Sequence, residues 1–455
     1  MRSPFSSGPF SLRTPLSARL VPQLPPGLGW DDEQFPLPLH PAAQGYAVDL
    51  DPRALVDPAV WSGPAIHVDI ATGDDGNSGL GAQDGDFSAA VKTIHAAFTA
   101  GNATGGAYRV LVKSGFYKEN HFTNNGAVEP DQPVALVAWG GRVLYRTGPE
   151  NPAFAFDQGT TYSTSLSSTQ RVFRTDVTDA QGRYQELSAA ADLAACRATA
   201  GTFFKDGSTV YVNIGADPDG KIALIRSIHG ARFLTHAEDF YIEGFDIEGG
   251  ITGAFHMDAA AARNVICDGC TFRYSATGTP GAQQDAFRVL RTNGLVWARG
   301  CDAAYGAKDN WNFHENGTPG MHVLLEACTG GRPGWDAAAS CNDFTTHDGV
   351  TAAAISCSFE GGGPRPGSTV HCIETARSWL LDCRIQADDS DGDGQAIALS
   401  CSNDASMWLE GSSLQALGAA QDNIALRANG GQIFLRRSTE AGTRDISAGG
   451  SISGY

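Results

Sequence analysis

Between residues 240 and 440 the chain repeats one short pattern of apolar and polar positions, clearest in the stretch SWLLDCRI at 378–385. Seven relatives align with it on the cysteine: FYIEGFDI (240–247), VICDGCTF (265–272), VWARGCDA (296–303), VLLEACTG (323–330), AAISCSFE (353–360), MWLEGSSL (407–414) and IFLRRSTE (433–440). The anchors are Phe245, Cys270, Cys301, Cys328, Cys357, Cys383, Ser412 and Ser438, spaced by 25, 31, 27, 29, 26, 29 and 26 residues. Second short strands lie between them, such as AFRVL (286–290), TVHCIE (369–374) and NIALRA (423–428), with no helical period in the intervals. A coil of this length built only of strands predicts a parallel β-helix, with equivalent residues about 4.8 Å apart along the axis.

Strand alternation assigns each position a side. Residues five and three before the anchor are nearly all apolar and point inward, whereas those two before it are mostly charged: Glu243, Asp268, Arg299, Glu326, Glu410 and Arg436. The residue just before the anchor is small, often glycine (Gly244, Gly269, Gly300, Gly411), which predicts a corner that resets the alternation. The five anchor cysteines from 270 to 383 then form an internal ladder of compact, reduced side chains. Four before the anchor, facing outward, stand Tyr241, Ile266, Trp297, Leu324, Ala353, Trp379, Trp408 and Phe434. So long an apolar stripe demands a cover. The sequence reading places Tyr241, Trp297, Leu324, Trp379, Trp408 and Phe434 at the interface of a homotrimer, with a stacking platform for sugars as the competitor.

Composition narrows the function classes. A net charge of −18 argues against nucleic-acid binding, and no apolar run approaches a membrane span, so no membrane insertion is expected. The basic N-terminus lacks the apolar block of a secretory signal, so the ten cysteines are read by the rules of a reducing compartment. The first 60 residues hold 11 of the 22 prolines, with Phe5, Phe10, Leu12, Leu16, Leu20, Leu24, Trp30 and Phe35 interspersed. Such a segment predicts an extended arm that lies along another protein. The expected organisation is an anchoring arm (1–62), a capping helix with the first coils (63–145), an inserted β-rich subdomain (146–232) and the rod (233–455).

The order GDDGNSG (73–79), KTIHAAF (92–98) and VLVKSGFYKE (110–119) resembles the opening of pectate-lyase-like β-helix proteins. That group includes polysaccharide lyases and hydrolases, adhesins, and the spikes of tailed phages and phage-like gene transfer agents. The resemblance implies an all-β, right-handed parallel β-helix with an N-terminal capping helix and a proline-rich arm.

Candidate chemistry gathers on the second strands. NFHEN (312–316), NDFTTHDG (342–349) and TVHCIE (369–374) stack in adjacent coils. Asp343, His347, Asp348 and Glu374 are the candidate acid–base residues, since glycoside chemistry needs one protonated donor and one ionised base. His314, Glu315 and His371 are candidate glycan contacts. Asp389, Asp391 and Asp393 open like a calcium loop, but Ser400 stands where a bidentate glutamate would close it; no cofactor is otherwise required.

Three readings compete. The first is a virion spike or fibre, assembled in the bacterial cytoplasm, docked to other virion proteins through residues 1–60 and binding host surface polysaccharide. The second is a polysaccharide lyase or glycoside hydrolase on the same scaffold, and the third a non-viral adhesin. Recognisable catalytic motifs are missing, so the enzyme stands behind the spike.

Overall fold

The computed structural model describes residues 21–122, 128–258, 263–278, 284–334, 340–361, 367–388, 395–418 and 422–455. Their core is a parallel β-helix of about 11 turns. Each coil of the rod contributes a strand to each of three faces. In one coil these are Leu295–Arg299 on the first face, Asp302–Ala304 on the second and Trp311–His314 on the third. Each pairs in parallel register with its counterpart in the next coil, Val296 with Val323, Asp302 with Thr329 and Trp311 with Phe344.

The corner between the first and second faces is built as the spacing predicts. All eight residues just before the anchors adopt positive φ, from 51° at Ala327 to 78° at Gly244. In four coils glycine takes this conformation without a Cβ clash, while Ala327, Ser356, Asp382 and Arg437 adopt it at a cost. The turn brings each anchor back to the interior, where the thiols of Cys270, Cys301, Cys328, Cys357 and Cys383 are buried. Each thiol donates to the carbonyl three residues before the preceding anchor: Cys301 to Cys267 at 3.4 Å, Cys328 to Ala298 at 3.2 Å, Cys357 to Leu325 at 3.3 Å and Cys383 to Ala354 at 3.2 Å. Ser412 continues the series to Leu380 at 2.9 Å. The ladder thus satisfies a buried carbonyl at each corner, beyond filling space. All ten cysteines are buried and none is in a disulfide.

Behind the third face an aromatic column fills the interior. Phe255 stacks on Phe287 at 5.0 Å and 8°, and Trp311 follows at 5.1 Å. At the start of the rod the helix Ile94–Asn102, N-capped by Thr93, turns Ile94, Ala97 and Phe98 into the same core.

The outward stripe overturns the interface reading. Tyr241, Trp297 and Trp379 are fully buried, and Leu324 and Trp408 nearly so, beneath residues 24–61 of the same chain. Leu28, Phe35, Leu37, Tyr46, Val48, Val56 and Val60 supply the cover, and Phe434 stacks on Trp408 at 5.3 Å. Polar ties fix the register: the Val48 amide donates to Glu326 at 2.9 Å, the Tyr46 amide to Ser356 at 2.8 Å, and Arg53 pairs with Glu243 at 2.5 Å. The stripe is therefore consumed by an intramolecular contact and is not available to a second copy. The described part of the proline-rich arm likewise lies on its own rod, where another protein had been expected, because its apolar side chains match the stripe left open by strand alternation.

Residues 155–226 leave the helical path and form antiparallel sheets. They include the hairpin Thr202–Asp206 with Thr209–Asn213, and a short helix, Leu193–Ala198, capped by Asp192. Phe173, Ala223 and Ile225 pack on Tyr274, Ala304 and Tyr305 of the rod. Arg183 and Arg273 close on Asp302 at 2.6 Å each, a buried three-charge tie.

Candidate functional site

The side of the third face turned away from the core is a polar ribbon, in which His256, Asn312, Thr345, Ser400 and Ser402 are buried and His371, His314 and His347 are half-buried. Strand alternation turns Phe287, Trp311 and Phe344 inward and their neighbours outward. Successive register pairs align Arg232, His256, Arg288, Asn312, Thr345, His371, Ser400, Arg427 and Asp445 in one row along the rod. Two residues further along each strand a second row carries Asp258, Leu290, His314 and His347, then Ser402 and Asn429. Hydrogen-bonding groups thus recur at the spacing of the coils, about 4.8 Å.

Five of the sequence-predicted residues lie here. The rings of His314 and His347 stack with centroids 3.8 Å apart and 13° between planes. Asp348 and Glu374 lie at the edge of the ribbon on adjacent turns, both at positive φ. The Asp348 amide donates to the Glu374 carboxylate at 2.6 Å, and the Asn316 amide to Asp348 at 2.7 Å. His314 Nδ1 is 3.9 Å from Asp348, and His347 Nδ1 4.0 Å from Glu374. Burial lowers the His314 pKa to about 4, with Arg288 adding to it, and the His347 pKa to about 2, with His314 adding to it. His371, lowered to about 4 by burial, sits in the first row and meets the Ser402 hydroxyl at 3.2 Å. These imidazoles are neutral at pH 7, each offering one donor and one acceptor. His314 Nε2 is buried without a partner.

Two predicted residues do not belong to the site. Asp343 is fully buried, accepting from Asn310 Nδ2 at 2.6 Å and the Glu360 amide at 2.7 Å, and burial pushes its carboxyl well above the usual range. It holds two coils together and reaches no surface. Glu315 is 7% exposed and accepts from the amides of Gly320, Met321 and Gly349, which fixes a turn and leaves nothing for a sugar. Asp389, Asp391 and Asp393 lie outside the described residues. Among the described residues no group of three or more metal-ligating side chains is arranged to hold an ion, and no helix is long and apolar enough to cross a membrane.

The structure adds a ladder that the sequence reading missed. Asp285, Asp309, Asn342 and Ser368 each stand two residues before an inward residue, in DAF, DNW, NDF and STV. The amide of each later member donates to the side chain of the one before, at 3.2, 2.9 and 2.8 Å. Asn312 of the first row donates to Asp285 at 2.9 Å, and Thr345 to Asp309 at 3.0 Å, so the ladder braces the ribbon from beneath. Burial, and then the proximity of Asp285, raise the Asp309 pKa to about 7. The recurring small polar residue before an aromatic one was the available signal.

A cleft of about 480 Å³ between the second face and the insertion is lined by Arg142, Asp246, Glu248, Arg273 and Asp302. Each of these charges already has a partner within the chain.

No family model and no curated protein matches the sequence. Solved structures do overlay on the fold. A glycoside hydrolase aligns over 86% of this chain and 97% of its own, with a TM-score of 0.45 and 8% identity. The tailspike protein gp49 from Pseudomonas phage LKA1 aligns over 79% and 71%, with 0.30 and 10%. The Gp54 tailspike of Acinetobacter baumannii bacteriophage AP22, solved with a capsular saccharide, aligns over 80% and 69%, with 0.28 and 9%. Overlays this loose say nothing about chemistry.

Proposed function

We propose that the chain is the rod of a spike or fibre on a phage or phage-like particle, and that its third face binds host cell-surface polysaccharide. The observation that carries the binding is the double row of neutral imidazoles, amides and hydroxyls along that face. A linear polymer of sugars presents hydroxyl groups repeatedly along its length, and a row of paired donors and acceptors at fixed spacing is its physical complement. The ten buried cysteines, none in a disulfide, are consistent with assembly in a reducing cytoplasm. A homotrimer belongs to the same proposal, built on a face other than the first, and so does docking to other virion proteins through residues outside those described.

The test is binding of the full chain to a panel of purified capsular polysaccharides, with His371→Ala and His314→Ala as variants. Saturable binding to one capsule, weakened about tenfold by either variant, is the expected result. Binding to none of the panel removes this function. Labelling of intact particles with antibody against the rod tests the location.

Asp348 and Glu374 favour a second reading, because they are partly exposed carboxylates on adjacent coils beside the ribbon. Depolymerisation of the bound capsule, abolished by Asp348→Asn or Glu374→Gln, would make the chain a hydrolase or lyase; retention of polymer length excludes it.

A further inference from the structure

We infer that the rod stands on the particle by the end that carries its last coils, and that this end meets a particle protein offering free strand edges of its own. The inference rests on the spike reading above, and names the described surface that goes with its docking.

The path of the strap that covers the first face sets the polarity. Trp30 lies against His322 at 5.2 Å, Gly29 beside Arg377, and Gly27 beside the indole of Trp408. Towards its N-terminus the strap thus climbs from the coil of His322 to that of Trp408, heading for the last coils. The other terminus arrives at the same place. Tyr455 lies under the Arg436 guanidinium at 4.6 Å, its amide donates to the Leu435 carbonyl at 3.4 Å, and its hydroxyl donates to Glu410 at 3.5 Å. Polypeptide joined to the described chain on either side therefore leaves from one end of the rod.

The two ends are also built differently. The first is closed by the helix Ile94–Asn102, whose Ile94, Ala97 and Phe98 are buried. At the other, inward positions of the final coil stand open. Ile446, in register with the buried Ala428, is 53% exposed, and Ile452, in register with the buried Ile433, is half-buried. Among the described residues no strand pairs with the far edges of Thr439–Ala441, Thr443–Ser447 and Ser451–Gly454, which lie on the three faces. A row of unpaired N–H and C=O groups is a template for another strand. An exposed apolar side chain between such rows needs an apolar cover. Strands of a second protein laid on these edges supply both.

The experiment uses the full chain on intact particles, with an epitope inserted either after Gly105, in the exposed turn that follows the closing helix, or after Gly449, in an exposed turn of the final coil. Electron cryomicroscopy of particles labelled with an antibody fragment reads the height of each epitope above the particle surface. Expected is the Gly449 label at the surface, and the Gly105 label farther out by about 50 Å, the length of about 11 turns at about 4.8 Å each. The reverse order, or equal heights, overturns the polarity while leaving the spike in place. A rod found on no particle overturns both. Ile446→Arg and Leu80→Arg give a second measurement without an insertion, since both side chains are exposed, Leu80 beside Ile66 of the first coil. With melting unchanged, Ile446→Arg is expected to be lost from particles and Leu80→Arg to be retained. Retention of both overturns the docking surface. Free chains joined end to end in solution, and separated by Ile446→Arg, make the occupant a second copy and overturn it too.

Discussion

At the scale of single residues, the structure separates two kinds of polar group that look alike in sequence. Asp343 and Asp348 are five residues apart, but the first lies in the brace between coils and the second at the rim of the ribbon. Polar residues that stack in adjacent coils read as an active site whether they face solvent or a buried turn, and alternation alone does not decide it. Asp309 allows a direct test. Its folded pKa of about 7 lies above the ordinary value of 3.8, so the folded chain holds a proton that the unfolded chain releases between those limits. Stability from this group is complete below about pH 4 and is lost as pH rises through 7. Asp309→Asn, which mimics the protonated acid, should therefore melt above wild type at pH 8, with the gap closing towards pH 5. A gap that does not vary with pH would rule out the raised Asp309 pKa. At the corners, Ala327 holds a φ of 51° and its side chain carries no hydrogen bond to lose. Ala327→Gly should stabilise by about 0.5–1 kcal/mol, read as a rise in chemical denaturation midpoint.

At the scale of elements, the rod was legible and its cover was not. Anchor spacing, the corner residue and the outward stripe were all readable because a repeat multiplies each local signal by the number of coils. The segment that covers the stripe carries no such period. It is proline-dense, and its contacts reach back some 300 residues, as from Tyr46 to Ser356, 310 positions away. Nothing local ties Leu28 or Val48 to a particular indole. The missed Asp285 ladder falls between these cases, since its period exists but rests on one small polar residue per coil. Two outcomes follow for the cover. Trp297→Ala should cost about 3–5 kcal/mol, as expected for a large buried aromatic. A chain begun at residue 62 should bind a hydrophobic dye and self-associate, and a monodisperse, dye-silent product would contradict the strap.

At the scale of the whole molecule, acid is the predicted weakness. His256, His314, His347 and His371 are neutral in the folded rod, with pKa values from about 2 to about 4 against an ordinary 6.5. Below pH 6.5 the unfolded chain takes up protons that the folded chain refuses, so the melting temperature should fall steadily as pH drops from 6.5 towards 4. His371→Gln should flatten that slope, and an unchanged slope would place the acid sensitivity elsewhere. The thiol ladder gives the complementary result: none of the ten cysteines should react with a thiol reagent in the native rod, and all ten should react in denaturant.

The direction of the strap also sets an order of events during synthesis. Residue 27 rests by Trp408 and residue 57 by Asp239, so the segment runs from the far end of the rod back to its beginning. The ribosome delivers it before any of the coils on which it will lie. Those coils can wind one upon another as they emerge, each templated by the last, while the strap segment waits until the coil that carries Trp408 has been made. Its seating is then a late, slow, non-local step, and until it occurs every newly wound turn shows its indoles to solvent, where a chaperone or a neighbouring nascent rod competes for them.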